Sequence, residues 1–183
     1  FNLPGRHNLS NALIALAMAV EYGCPHQQLA KALASFKGVK RRFTYQIKTD
    51  DLVFIDDYAH HPEEINAVHQ AVREMYPDER VLAIFQPHLY SRTKYFANEF
   101  AESLAQFDEV LLLDIYPARE LPIEGVTSGW LLGKIDNENK QLVSKELMLS
   151  KIQESDAKII LTIGAGDIGE EVNKIKKGLS VAS

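Results

Sequence analysis

Three short, almost wholly apolar runs recur along the second half of the chain with helix-length segments between them: VLAIF at Val81 to Phe85, VLLLD at Val110 to Asp114, and IILTI inside Lys158 to Ile163. A strand that is apolar at every position must be covered on both faces, and strands alternating with helices pair in parallel through crossovers. The expected body is therefore a Rossmann-like three-layer α/β sandwich with a mostly parallel sheet. Helices are expected at Pro62 to Tyr76, Thr93 to Gln106, near Ser128 and Ser144, and after the last strand.

The amino-terminal part reads differently. Asn8 is expected to cap a helix whose apolar positions Leu9, Leu13, Leu16, Ala17 and Val20 share a buried face, with Gly23 just past its end. Pro25 opens a second helix to about Phe36, with Leu29, Ala32, Leu33 and Phe36 as its buried stripe. FTYQI and LVFID then form an antiparallel hairpin around the polar turn Lys48 to Asp51. Because an all-helical segment gives way to β-rich sequence near Gly38 to Arg42, a boundary is expected there, dividing residues 1–38 from 39–183. The first residues, FNLPGRHN, read as the continuation of something upstream, so a fragment of a longer protein is expected.

The 183 residues suffice for one well-buried domain, or for one domain plus part of another. A net charge of −5 offers no basic field for nucleic acid and leaves small anionic ligands, held by local clusters, as the expected partners. The single cysteine, Cys24, excludes an internal disulfide and fits a reducing compartment, with cytoplasm as the default. The longest apolar run, around Ala12 to Val20, is too short to span a bilayer, and no membrane association is expected.

Polar and titratable residues follow each strand of the alternating body. Asp56, Asp57, Tyr58, His60 and His61 follow the first, and Gln86, His88, Tyr90, Ser91 and Arg92 the second. Asp114, Tyr116, Arg119 and Glu120 follow the third, and Gly164, Gly166 and Asp167 the fourth. In a parallel sheet these ends converge on one edge, where ligands bind. Adjacent histidines point apart and no H-x-H or H-x-x-x-H pairing supports them, so no metal site is assigned to these side chains. The GAGDIG string fits a dinucleotide fingerprint, but it follows the last strand and the chain ends before an acidic ribose partner about 20 residues on could lie on a following strand. Its glycines are read as permitting a tight turn. Arg41 and Arg42 lie at the join, either as a solvated pair or as a guanidinium fork for a phosphate.

Taken together, GRHNLSNALIALA, GVKRRF, DDYAHHPEEI, FQPHLYSRT, DIYPARELPIEGVTS and IGAGDIG resemble the carboxyl-terminal part of the Mur ligases, in order and over essentially the whole chain. The resemblance implies the end of a central ATPase domain (residues 1–38) followed by the amino-acid-binding domain (39–183) of a bacterial, cytoplasmic, ATP-dependent amide ligase. The implied reaction joins L-alanine to UDP-N-acetylmuramate through an acyl phosphate during cell-wall precursor synthesis, with ATP and magnesium. No G-x-x-x-x-G-K-[ST] loop occurs in the sequence, so the phosphate cradle and magnesium ligands are expected upstream and the chain alone should not turn over.

Position by position, the resemblance places Asn11 at the adenine, with His7 and Asn8 completing that motif, and Arg42 at the γ-phosphate. Asp57 matches the acid on the ribose hydroxyls, with Tyr58 near the nucleotide. His60, His88, Tyr90 and Arg92 match positions lining the amino-acid end, where Arg92 would hold the incoming carboxylate and His60 or His88 would accept the amine proton. Some relatives have a basic residue where this chain has Leu89, which shifts more of the anchoring to Arg92. Three alternatives stay open: an acceptor that is an alanine-bearing peptide, a nucleotide-binding module without ligase activity, and a dinucleotide-dependent oxidoreductase.

Overall fold

A computed structural model describes residues 1 and 3–181. Two helices come first, α1 (Arg6–Glu21) and α2 (His26–Ser35), then the hairpin β1 (Thr44–Lys48) and β2 (Val53–Asp57). The body continues with α3 (Pro62–Met75), β3 (Val81–Phe85), α4 (Tyr90–Tyr95), α5 (Ala97–Ala105) and β4 (Glu109–Leu112). It closes with α6 (Ser128–Leu132), β5 (Lys140–Leu142), α7 (Lys145–Glu154), β6 (Ile159–Ile163) and α8 (Ile168–Val181).

The strands form one six-stranded sheet in the order β1-β2-β6-β3-β4-β5. Only the β1–β2 pairing is antiparallel, with a register shift between Tyr45 and Ile47, and the remaining pairs are parallel. Alternation along each strand divides the core into two layers. Ile55, Ala83, Phe85, Leu161 and Ile163 face α3 and α5 with Ile65, Val72, Phe100 and Leu104. Phe54, Leu82, Ile84, Leu111 and Ile160 face the opposite layer of Met148, Ile152, Ile168, Val172 and Ile175. This is the expected sandwich, and every residue of β2, β3 and β6 is buried.

Several local expectations need correction. Asn8 does not cap α1: the helix begins at Arg6 behind Gly5 (φ 89°), and the Asn8 amide donates to Pro4 O at 2.7 Å from within the first turn. Gly23 (φ 89°) does end it, with Gly23 N–H donating to Val20 O at 2.9 Å and Cys24 N–H to Ala19 O at 3.0 Å, the paired bonds of a Schellman motif. The apolar stripe of α1 finds no core, since Leu9 is 60% and Leu13 64% exposed and no residue of α1 or α2 is buried. The expected helix over Thr93 to Gln106 begins earlier, at Tyr90, and is divided at Phe96 (φ −110°, ψ 25°) into α4 and α5. Strand β5 was not anticipated, because its sequence KQL has no apolar run and it takes its place by pairing with β4 at the sheet edge. No helix among the described residues is long and apolar enough to cross a membrane.

Candidate active site

Strand β2 delivers its last residues into a short extended segment, Tyr58 to His61, before Pro62 opens α3. Glu64, in the first turn of α3, folds back over that segment. Its Oε2 accepts from His60 N at 2.8 Å and His61 N at 3.2 Å, so the carboxylate satisfies donors ahead of the helix and sits at its positive end. The same carboxylate lies 3.3 Å from His60 Nδ1 and, through Oε1, 3.9 Å from Arg42 Nη1. Glu64 therefore joins the two residues expected to carry the chemistry. A Glu three residues past an N-cap could have been read as half of a capping box; its contact with Arg42 could not.

Adjacent arginines have opposite environments. Arg41 is fixed: Nε lies 3.0 Å from Asp56 Oδ2, Nη2 donates to Gly164 O at 2.7 Å, and the guanidinium lies 5.2 Å from the Tyr58 ring centroid. Asp56 is 1% exposed and also accepts from Thr162 Oγ1 at 2.9 Å. Arg42 is half-exposed, and its one ion pair among the described residues is the long contact to Glu64. Of the two, Arg42 has the guanidinium available to a ligand.

Asp57 is buried with both oxygens in use, Oδ2 accepting from Phe43 N at 2.6 Å and Oδ1 from Ala59 N at 2.8 Å. Burial pushes its pKa up to about 6, against the pull of those two backbone donors and of Arg42. It braces the join against the end of β2, and a ribose would have to share oxygens already engaged.

The second loop carries the residues expected at the amino-acid end. His88 follows β3, its ring stacked on Tyr116 at 5.6 Å and 6.1 Å from the His60 ring. The His60 ring in turn lies edge-on to Tyr58 at 5.3 Å. Arg92 Nη1 lies 3.3 Å from His88 Nδ1, and Tyr90 occupies the first position of α4. Burial lowers the His88 pKa, and Arg92 and His60 lower it further against a smaller upward pull from Glu120.

On the other side of Arg42, His7, Asn8 and Asn11 line a groove of about 560 Å³ between α1 and α2, with Arg42 at its rim and apolar walls that include Leu16, Leu33 and Phe36. Burial lowers the His7 pKa and the Arg42 charge lowers it further. Of the expected residues, His7, Arg42, His60, His88 and Arg92 thus form one connected series, joined between Arg42 and His60 by Glu64.

Among the described residues the non-glycine positions with positive φ are Arg41 (61°), Phe43 (47°), Leu89 (72°) and Ala118 (52°). All four lie in the join or in loops at the carboxyl edge of the parallel strands. Such conformations cost about 1–3 kcal/mol each and persist where the surroundings fix them, commonly at functional sites. No residue-type signal in the sequence marked them.

The glycines of GAGDIG are fitted to other atoms of this chain. A Cβ on Gly164 would lie 2.8 Å from Gln86 O, one on Gly166 2.8 Å from the Tyr116 ring, and one on Gly169 2.6 Å from Arg41 Nη1. Gln86 ties the string down further, donating to Asp167 Oδ1 at 2.7 Å and accepting from Ile168 N at 2.9 Å. Of these glycines only Gly164 has a positive φ (146°), and Gly166 and Gly169 are demanded by close approaches that this chain itself makes.

Residues 41–166 match the family described as Mur ligase, glutamate ligase domain. The chain belongs to the Mur ligases. It is 69% identical to the UDP-N-acetylmuramate–L-alanine ligase of Flavobacterium psychrophilum and 67% identical to that of Flavobacterium johnsoniae, in each case over 98% of this chain and 40% of the relative. The chain thus spans about two-fifths of the length of these relatives. Among solved structures, the UDP-N-acetylmuramate–alanine ligase of Thermotoga maritima superposes with a TM-score of 0.79 at 28% identity, covering 99% of this chain and 39% of that one. A murein peptide ligase from Psychrobacter arcticus shares the fold, with a TM-score of 0.68 at 24% identity, covering 98% of this chain and 38% of that one. The Mur ligase match covers the whole connected series except His7, which, like Asn8 and Asn11, lies before its first residue.

Proposed function

We propose that this chain is the nucleotide-closing and amino-acid-binding part of an ATP-dependent ligase that joins L-alanine to UDP-N-acetylmuramate in peptidoglycan precursor synthesis, in the bacterial cytoplasm. The observation that carries it is the connected series of Arg42, Glu64, His60, His88 and Arg92 along one rim, drawn from three separate parts of the chain. The high identity to ligases of that name supports the same reading.

In this reading residues 1–38 are the end of a central ATPase domain and 39–183 the amino-acid-binding domain. The exposed stripe of α1 supports the first assignment, since a helix with Leu9, Leu13 and Met18 on its surface is one made to be covered. The groove beside Asn8 and Asn11 has the apolar walls and amide edges that suit an adenine. The phosphate cradle belongs to the upstream part. The magnesium that accompanies ATP is assigned mainly to the upstream part as well.

Transfer of a phosphoryl group to a carboxylate, followed by attack of an amine, concentrates negative charge at one point in both steps. Arg42, half-exposed at the join, is the cation that domain closure would bring against it. Arg92 holds the carboxylate of alanine, which leaves the amine free to attack. Burial and neighbouring cations favour the uncharged form of His88, which suits an acceptor for the amine proton. Tyr58 and Tyr90 wall the nucleotide and amino-acid ends, and Asp57 acts on the ribose side through the join that it braces.

The test uses the full-length ligase with UDP-N-acetylmuramate and ATP, following phosphate release. Release that depends on free L-alanine is the expected result. Release that requires an alanine-bearing peptide would make the protein a peptide ligase of the same family, and no amine-dependent release with tight NAD binding would overturn the assignment.

A further inference from the structure

The residues placed at the amino-acid end share one support. Arg92 and Tyr90 ride on α4, a six-residue helix whose N-cap is Leu89 at φ 72°, with no side-chain cap of its own. A helix this short, entered through a left-handed residue, has little intrinsic reason to hold its first turn in place. What holds it comes from another loop. Glu120, about thirty residues away in sequence and beyond β4, accepts from Ser91 N at 2.9 Å through one oxygen and from Ser91 Oγ through the other. Backbone bonds run alongside, Leu89 N donating to Tyr116 O at 2.9 Å and Tyr116 N to Pro87 O at 2.8 Å, and they tie the same two loops together.

We infer that Glu120 is a positioning residue for the amino-acid end of the site: its carboxylate caps α4 from outside the helix and so sets where Arg92 and Tyr90 stand. The inference rests on the ligase reading above but names a residue which that reading leaves without a role. Geometry and electrostatics agree. The hydrogen bonds from Ser91 hold Glu120 below the ordinary carboxylate range, with Arg92 adding to the effect. Negative charge at the start of α4 also offsets the positive charge of Arg92 beside His88. Beyond Glu120 the loop is open, with Leu121 86% exposed, so the carboxylate is an anchor in an otherwise exposed segment.

Two substitutions separate the capping role from simple bulk. Glu120→Ala removes both acceptors. Glu120→Gln keeps an oxygen for Ser91 N and an amide that can donate to Ser91 Oγ. In the full-length ligase, Glu120→Ala is expected to raise the KM for L-alanine by about tenfold or more while the KM for ATP stays within about twofold, and Glu120→Gln is expected to restore most of the loss. Ser91→Ala should give a smaller rise, and the double variant should be no worse than Glu120→Ala, because both remove the same contact.

A second measurement does not depend on the substrate. In Glu120→Ala the Ser91 amide should lose hydrogen-exchange protection by about tenfold or more while the amides of β3 and β6 keep theirs. If the unsubstituted enzyme shows no alanine-dependent turnover, the ligase reading fails, and the exchange measurement still decides whether Glu120 caps α4. Unchanged Ser91 protection, or equal rises in both KM values, would overturn the inference. Should the alanine variant not fold, Glu120→Gln and Ser91→Ala carry the same comparison, and no rise in the alanine KM in Ser91→Ala would overturn it.

Discussion

Replacing each of two neighbouring arginines by alanine should produce opposite defects from the same change in charge. Arg41 pairs with Asp56, which is 1% exposed, while its own side chain is 16% exposed. Removing one partner of a buried pair leaves an uncompensated charge and costs about 3–5 kcal/mol. Thr162 continues to donate to Asp56, which places the expected loss at the lower end. Alanine keeps a Cβ, so the strain of φ 61° at this position is common to both sequences and cancels. For a chain of 183 residues, where each kcal/mol shifts Tm by about 2–4 °C, Arg41→Ala should lower Tm by about 10 °C. Arg42 is 50% exposed with an ion pair at 3.9 Å, an arrangement worth about 0–1 kcal/mol, so Arg42→Ala should move Tm by no more than about 4 °C. In the full-length ligase the order reverses: Arg42→Ala should lower kcat by about a thousandfold with ATP still bound, as for a guanidinium that meets charge only in the transition state. Thermal denaturation of this chain and steady-state kinetics of the whole enzyme measure the two halves. An Arg42→Ala protein as destabilised as Arg41→Ala, or one that keeps its turnover, would refute the division of labour.

Three further outcomes are expected. Arg92→Ala should raise the KM for alanine by about tenfold to a hundredfold with the KM for ATP little changed, since it removes a charge-assisted pair with the amino-acid carboxylate; kinetics with each substrate varied in turn will show it. Gly166→Ala should destabilise the chain by about 1–3 kcal/mol in chemical denaturation, because the new Cβ would press on Gln86 Oε1 and lie 2.8 Å from Tyr116. Asp57, ordinarily at 3.8 and here raised to about 6, binds more protons folded than unfolded between those values, so its contribution to stability is present below about pH 4 and lost as pH climbs through 6. Relative to Asp57→Asn, the unsubstituted chain should therefore lose up to about 3 kcal/mol across that window, and a flat or rising difference curve would contradict it.

The fold was legible where burial dictates sequence. β2, β3 and β6 are buried at every position, and an element covered on both faces leaves an unbroken apolar run that is read directly. β5, half exposed at the edge, needs no such run and left no trace. The break at Phe96 was invisible for a related reason, since the apolar period continues through Phe100 and Leu104 into the same core layer while the backbone turns. On α1 the reading inverted. An apolar stripe records that a face is meant to be covered, and the sequence cannot say whether the cover lies within the same 183 residues.

At the site, residue types were legible and their couplings were not. That His60, His88 and Arg92 lie together follows from parallel topology, which sends loop after loop to one edge, and Arg42 reaches the same edge because β1 runs antiparallel to β2. The difference between Arg41 and Arg42 does not follow, because it depends on a left-handed φ at Arg41 that turns its side chain onto Asp56 and the carbonyl of Gly164. Glu64 and Glu120 were missed or left without a role because each acts on backbone groups of a neighbouring segment, and a carboxylate that accepts from an N–H has the same sequence signature as one facing water. Both anchor the start of a helix that carries, or immediately follows, the proposed reactive side chains. That arrangement has a physical reason. In the proposed reaction Arg92 must meet a carboxylate at hydrogen-bond distance with His60 nearby, and a displacement of about 1 Å in such a contact can cost about a hundredfold in rate, so the first turn of each helix has to be fixed more firmly than the helix fixes itself.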